Sequence, residues 1–181
     1  MGHELAFIGA NPAAFLWDGD EPGAFVSVWQ VDWSPEGSGG AVVLARDGEL
    51  RVLCDPPVVG RWLFETFVTH ARELNHFEKL PARPTVEQAP VKIEIDLVSG
   101  LTASAGDVTV RISGILDRRR QLENGLRLGG IPWSLSHVLA PCRSARVEVA
   151  RAVVPGSPRV ENKNPVSSSA WLSVAETWAR L

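Results

Sequence analysis

Between Val91 and Ser113 the chain alternates apolar and polar residues almost without fault, and this period of two constrains the fold more than any other feature. Val91, Ile93, Ile95 and Leu97 oppose Lys92, Glu94 and Asp96. After breaks at Ser99-Gly100 and Ala105-Gly106-Asp107, Val108, Val110 and Ile112 oppose Thr109, Arg111 and Ser113. Successive strand side chains point to opposite faces, so both stretches read as half-buried antiparallel strands. Glu94 and Asp96 resemble paired carboxylates, but they oppose an unbroken apolar phase and read as the outer face.

The same period runs through the first half. Phe25, Ser27, Trp29, Val31 and Trp33 share one face of a strand from Ala24 to Trp33, and a turn at Ser34–Gly40 leads to a strand over Ala41–Ala45. Asp47-Gly48 is a hairpin signal returning the chain through Leu50–Cys54. After Asp55-Pro56-Pro57 the spacing of Leu63, Phe67, Ala71 and Leu74 turns helical, which predicts one amphipathic helix through Trp62–Leu80. Asn11-Pro12 ahead of Ala13–Trp17 has the form of an N-cap and N1 proline, which predicts a short helix there. Further strands are expected at Gln121–Leu128, Trp133–Ala140, Ala145–Val153 and Ala170–Trp178.

Residues 1–22 therefore read as an amino-terminal lid or plug, and residues 23–181 as a single β-barrel domain with a helical insertion at about 57–80. About nine strands in one open sheet would accumulate twist and expose edges. The expected fold class is mainly β: an antiparallel lipocalin-like β-barrel with one central amphipathic helix, with a two-sheet sandwich as the second choice. Strands that do not alternate with helices argue against a doubly wound fold.

Composition excludes more than it identifies. With 181 residues, 22% of them charged, and a net charge of −3, the chain gives no sign of nucleic-acid binding, and the basic triplet Arg118-Arg119-Arg120 reads as a solvated hairpin tip or strand edge rather than a phosphate contact. Its amino terminus lacks the form of a signal peptide, and no run approaches a membrane span. Cys54 and Cys142 have no metal or redox spacing and read as reduced thiols, so the expected location is cytoplasmic. No phosphate loop, HExxH or GxSxG elbow is present, and His70 and His76 are six residues apart, too far for a helical metal pair. Neither a metal nor a cofactor is expected.

Two polar residues break the apolar pattern. The phase holding Trp133, Leu135 and Leu139 also holds His137, and the phase holding Ala170, Leu172, Val174 and Trp178 also holds Glu176. In a closed barrel both would face the lumen, where an unpaired charge is costly. Either each is satisfied by a buried hydrogen bond, or the phase slips at a bulge, or they are a catalytic pair that polarises a carbonyl or moves a proton. Seven tryptophans and no tyrosine add large rings with single donors. Phe25, Trp29, Trp33 and Trp133 would line one wall, and Trp17 would belong to the lid; together they are the candidate substrate-binding residues, with core packing as the alternative.

The stretch from Val91 to Val149 closes two strands on Gly114-Ile115-Leu116-Asp117 and continues through Gly129-Gly130-Ile131-Pro132-Trp133 and Ala140-Pro141-Cys142. In this it resembles intracellular bacterial lipocalin-like barrels, both the carotenoid-hydratase-like proteins and the single-barrel [4+2] cyclases of polyketide biosynthesis. The resemblance implies a cofactor-free, Diels-Alderase-like cyclase or an isomerase, in which orientation and a hydrogen bond to a carbonyl supply the acceleration. It carries over no catalytic residue, and the Gly60-Arg61-Trp62 triplet opens the predicted helix rather than a first strand. The expected partner is a hydrophobic small molecule. A homodimer, a non-catalytic carrier or sensor, and a protein-interaction domain with a filled core stay open.

Overall fold

The computed structural model describes residues 4–181, so positions 1–3 of the expected lid lie outside the described residues. The chain forms β1 (Glu4–Ala10), β2 (Ala13–Asp18), β3 (Glu21–Trp33), β4 (Gly39–Arg46) and β5 (Glu49–Asp55) before its helix, α1 (Pro57–Thr66). Two 3-10 turns, Val68–His70 and Arg72–His76, precede β6 (Thr85–Gln88), β7 (Val91–Asp96), β8 (Gly100–Ala105), β9 (Val108–Ile115) and β10 (Arg119–Leu128). Next come β11 (Ile131–Val149), the short β12 (Ala152–Val153), β13 (Val160–Glu161) and β14 (Ser167–Ser168), and finally β15 (Ala170–Arg180).

The protein is mainly β. Asp47 and Gly48 both take positive φ, 47° and 75°, and close the β4–β5 hairpin as their sequence predicts. The alternating stretches are β7 and β9, and Val108, Val110 and Ile112 are fully buried. The intervening β8 was not expected.

One hydrogen-bonded path runs β6-β5-β4-β3-β1-β15-β11-β9-β8-β7. Among the described residues no ladder joins its ends, β6 and β7, but Ala89-Pro90 links them directly in sequence. Arg51 staples this seam, holding Glu87 of β6 by two bonds of 2.8 and 2.9 Å and Asp107 of the β8–β9 turn at 2.7 Å. β11, nineteen residues long, carries the sheet round: its first half pairs with β10 and β15, its second with β9. The two strands expected at Trp133–Ala140 and Ala145–Val153 are therefore largely one.

This folding-back buries β3, β4 and β5 on both faces. Val26, Val28, Val42, Leu44 and Leu53 pack against Leu101, Val108, Val110 and Ile112 of the returning layer. Phe25, Trp29, Val43, Val52 and Cys54 instead face α1 and the 3-10 turns. The helix can lie close because Gly60 has no side chain: a Cβ there would fall 2.3 Å from the Cys54 sulfur.

Two helical expectations are corrected. The short helix at Ala13–Trp17 is instead the strand β2; with β1 it forms one interrupted strand between β3 and β15. Asn11-Pro12 marks the interruption, where the Asn11 amide donates to Ser27 Oγ and the Val28 carbonyl and Val28 N–H donates to the Pro12 carbonyl. A segment hydrogen-bonded on both sides belongs to the sheet and is not a detachable lid. The central helix stops at Thr66 rather than near Leu80. Thr66, Val68 and Thr69 are β-branched and poor helix formers, and Phe67 leaves helical geometry (φ −122°, ψ −57°) to turn its ring into the aromatic core.

Candidate functional site

Glu176 reaches the interior through a backbone irregularity. Up to Leu172, β15 directs Ala170 and Leu172 to the layer formed with β8 and β9. Ala175 then adopts φ +49°, and the register against β11 shifts between Ser136 and Val138. This extra residue reverses the alternation. Ser173, Glu176 and Trp178 consequently come together, although strict alternation separates Ser173 from the other two. The phase did slip at a bulge, and the slip buried the carboxyl instead of exposing it.

Five side chains form a continuous hydrogen-bonded chain. Trp178 Nε1 donates to Glu176 Oε1 at 2.5 Å, the other Glu176 oxygen bonds Ser173, Ser173 Oγ lies 2.6 Å from His137 Nδ1, and His137 Nε2 lies 3.1 Å from Gln121 Oε1. His137 and Glu176 are 8% and 3% exposed, so the two candidate catalytic residues are buried and linked through Ser173. Ser173 and Gln121 were missed from sequence. Ser173 lies in the opposite formal phase, and only the register of β10 against β11 places Gln121 across from His137.

The donors and acceptors determine where protons sit. With the Gln121 amide oxygen toward it, His137 Nε2 carries a proton, and this orientation leaves two arrangements with the same proton count. In one, neutral Glu176 donates to Ser173 and Ser173 donates to Nδ1; in the other, Ser173 donates to the carboxylate and an imidazolium donates to Ser173. Burial raises the Glu176 carboxyl to about 7 against the pull of its Ser173 and Trp178 bonds. Burial also lowers the His137 imidazole, against a weaker opposing pull from Glu123. Both shifts favour the neutral pair. A concerted shift of two protons through the Ser173 hydroxyl converts one arrangement into the other.

The tryptophans meet around Phe67. Its ring lies 5.5 Å from Trp29, 5.5 Å from Trp133 and 5.1 Å from Trp178, filling most of the hollow expected between them. What remains is a half-open pocket of about 130 Å³ walled by Phe25, Trp29, Phe67, Ala71, Trp171 and Trp178, with His70 and Glu73 also in its lining. Phe25 and Trp29 line it as expected, and Trp133 stands behind Phe67. Trp33 does not join them. The register slips by one residue at Asp32, so Trp33 sits opposite Ile8 on the outer face, 42% exposed. Trp17 packs on Phe15 and His76 beneath the Arg159 guanidinium, away from the cavity wall.

His137 and Glu176 do not line the cavity either; the Trp178 ring stands between it and the Glu176 carboxyl. A larger hollow of about 590 Å³, between Arg61, Phe64, Glu65 and Arg83, is about as open to solvent as the first and is lined by none of the five linked side chains. Among the described residues no three His, Cys, Asp or Glu side chains are grouped as metal ligands. Among the described residues no helix is long and apolar enough to cross a membrane. Cys54 and Cys142 are free and buried, and burial raises both thiols, Cys142 to about 11, so neither is a ready nucleophile. Comparison of the chain with protein-family models, curated proteins and solved structures gives no match.

Proposed function

We propose that this protein binds a small apolar molecule in the aromatic chamber beneath the Phe67–Phe77 segment. The carrying observation is the double role of Trp178, whose ring walls the cavity while its N–H holds the buried Glu176. A ligand that displaces this ring acts directly on the proton arrangement behind it. An apolar cavity of roughly 150 Å³ accepts benzene, so the chamber as it stands suits a single ring. A longer polyene needs several hundred Å³ and requires the 3-10 turns to swing outward.

The test is calorimetric titration with toluene of the wild type and of Ala71→Leu, which places a larger side chain at the cavity wall from a 3-10 turn. Saturable binding by the wild type, abolished in the folded variant, supports the reading. Binding by neither leaves a filled core and favours a protein-interaction domain.

A cofactor-free isomerase or cyclase, the activity implied by the lipocalin-like barrel resemblance, is the second reading. It would draw on the Glu176–Ser173–His137 chain, which can take up and return a proton without net change, and it requires the Trp178 ring to move aside so that a substrate reaches Glu176. Exchange of solvent deuterium into the α-positions of cyclohexanone, catalysed by the wild type and lost in Glu176→Gln, separates an enzyme from a carrier.

A further inference from the structure

The outer face of β3, β1, β15, β11 and β10 is nearly free of charge. Ser134 and Ser136 point away from the buried Trp133 and Leu135, and the strand register extends each of them into a row across the sheet. One row reads Trp33, Ile8, Thr177, Ser136 and Leu122 in that strand order. The row beside it holds Leu5, Ala179, Ser134 and Asn124. Of the nine large apolar side chains exposed among the described residues, four lie in these two rows: Leu5, Ile8, Trp33 and Leu122. Contiguous exposed apolar side chains mark an interaction surface, whereas scattered ones do not.

Charges stand only at the margins. A third row places Gln30 and Ala10 on the β3 side and Val174, Val138 and Arg120 on the β10 side. Arg118 bonds the Leu97 carbonyl and Arg119 bonds Asp117 and the Val166 carbonyl, whereas Arg120 joins no ion pair among the described residues. At the opposite margin Asp32 accepts a bond from Gln30 at 3.1 Å, and Asp55 lines a hollow with Gln30. Beyond the Leu5 row, Glu4 faces Arg180 at 3.9 Å and Arg127 bonds the Gly130 carbonyl. One margin is thus basic and the other acidic.

A two-fold axis running along β15 exchanges β3 with β10 and β1 with β11. It sets Thr177 against Thr177 of a second copy, Ile8 and Leu5 against Ser136 and Ser134, Trp33 against Leu122, and Arg120 against Asp32. The smallest side chains lie over β15 and β11 and the largest on the flanks, which levels a sheet that is convex outside its aromatic core. An axis along the row would instead stack Trp33 on Trp33 and leave Arg120 over Asn124, so the charges select the first. We propose that this face joins two copies of the chain in an isologous dimer. The chamber lies on the other side of the sheet, so the dimer is independent of what the chamber binds.

Sedimentation equilibrium of the full chain tests this. The wild type is expected to be a dimer at micromolar concentration. Thr177→Lys, which brings two ammonium groups together at the axis, and Leu122→Lys, at a position already 62% exposed, should each give a monomer with the wild-type circular dichroism spectrum. Arg120→Glu and Asp32→Arg should each weaken the dimer about tenfold, and the double variant should return to within about threefold of wild type. A monomeric wild type would overturn the proposal and leave the face to another partner. A dimer that survives Thr177→Lys would overturn it in favour of strand addition at β10, which pairs with β11 alone. Charge reversals whose losses add instead of cancelling would overturn the docking arrangement.

Discussion

Replacing Glu176 by Gln should change how stability responds to pH. The amide keeps an oxygen for Trp178 and supplies a donor to Ser173, so it mimics the neutral carboxyl. In the folded wild type burial raises the carboxyl from 4.5 to about 7, whereas the unfolded chain titrates it near 4.5. Below pH 4.5 both states are protonated and the group costs nothing. Between 4.5 and about 7 the unfolded state gives up its proton and the folded state keeps it, so stability falls as pH rises and levels off above the folded value. A shift of this size is worth about 3 kcal/mol. His137, lowered by burial, works in the opposite sense: its contribution is present above 6.5 and lost as pH falls, in both proteins. Urea unfolding of wild type and Glu176→Gln should therefore agree within about 1 kcal/mol at pH 4.5, with the variant ahead by about 3 kcal/mol at pH 8. Parallel changes in the two proteins across that range would show that Glu176 ionises in the fold without penalty, and would refute the neutral-pair assignment.

Three further outcomes follow from the packing. Phe67→Ala removes the ring at the centre of the aromatic cluster; it should cost about 3–5 kcal/mol by chemical unfolding and enlarge the chamber enough to admit two-ring ligands by titration. Ala175→Gly relieves a positive φ in an exposed residue and should stabilise by up to about 1 kcal/mol, measured as a raised urea midpoint. Arg51→Met releases β6 and the β8–β9 turn together, and about 1–2 kcal/mol of lost stability is expected because both carboxylate partners are more than a third exposed. A double-mutant cycle with Glu87→Gln should recover part of that loss as coupling.

The strands were legible wherever one face is buried and the other wet, as in β7 and β9, and wherever a turn needs positive φ, as at Asp47-Gly48. They were harder to read where both faces are buried, since Val42-Val43-Leu44-Ala45 has no polar phase to mark a period. Asn11-Pro12 misled because an Asn side chain that bonds nearby backbone and a proline without N–H suit a helix start and a strand interruption equally. His137 and Glu176 were recognisable as polar residues in an apolar setting. Their connection through Ser173 was not, because it depends on one extra residue at Ala175, and alanine in a left-handed conformation leaves no mark in sequence. Trp33 was misplaced for the same reason at Asp32. Phe67 looked like one more position on a helical stripe, whereas the break in α1 after Thr66 made it the residue that fills the hollow.

The central claim is that the space among Trp29, Phe67 and Trp178 receives an apolar guest. Xenon-pressurised crystals examine this directly, because xenon enters dry apolar cavities and scatters strongly. A bound atom between these three rings, displaced when the crystals are also soaked in toluene, is the predicted result. Crystals that take up xenon nowhere among the aromatic rings, or only in the hollow beside Arg61 and Arg83, would contradict it.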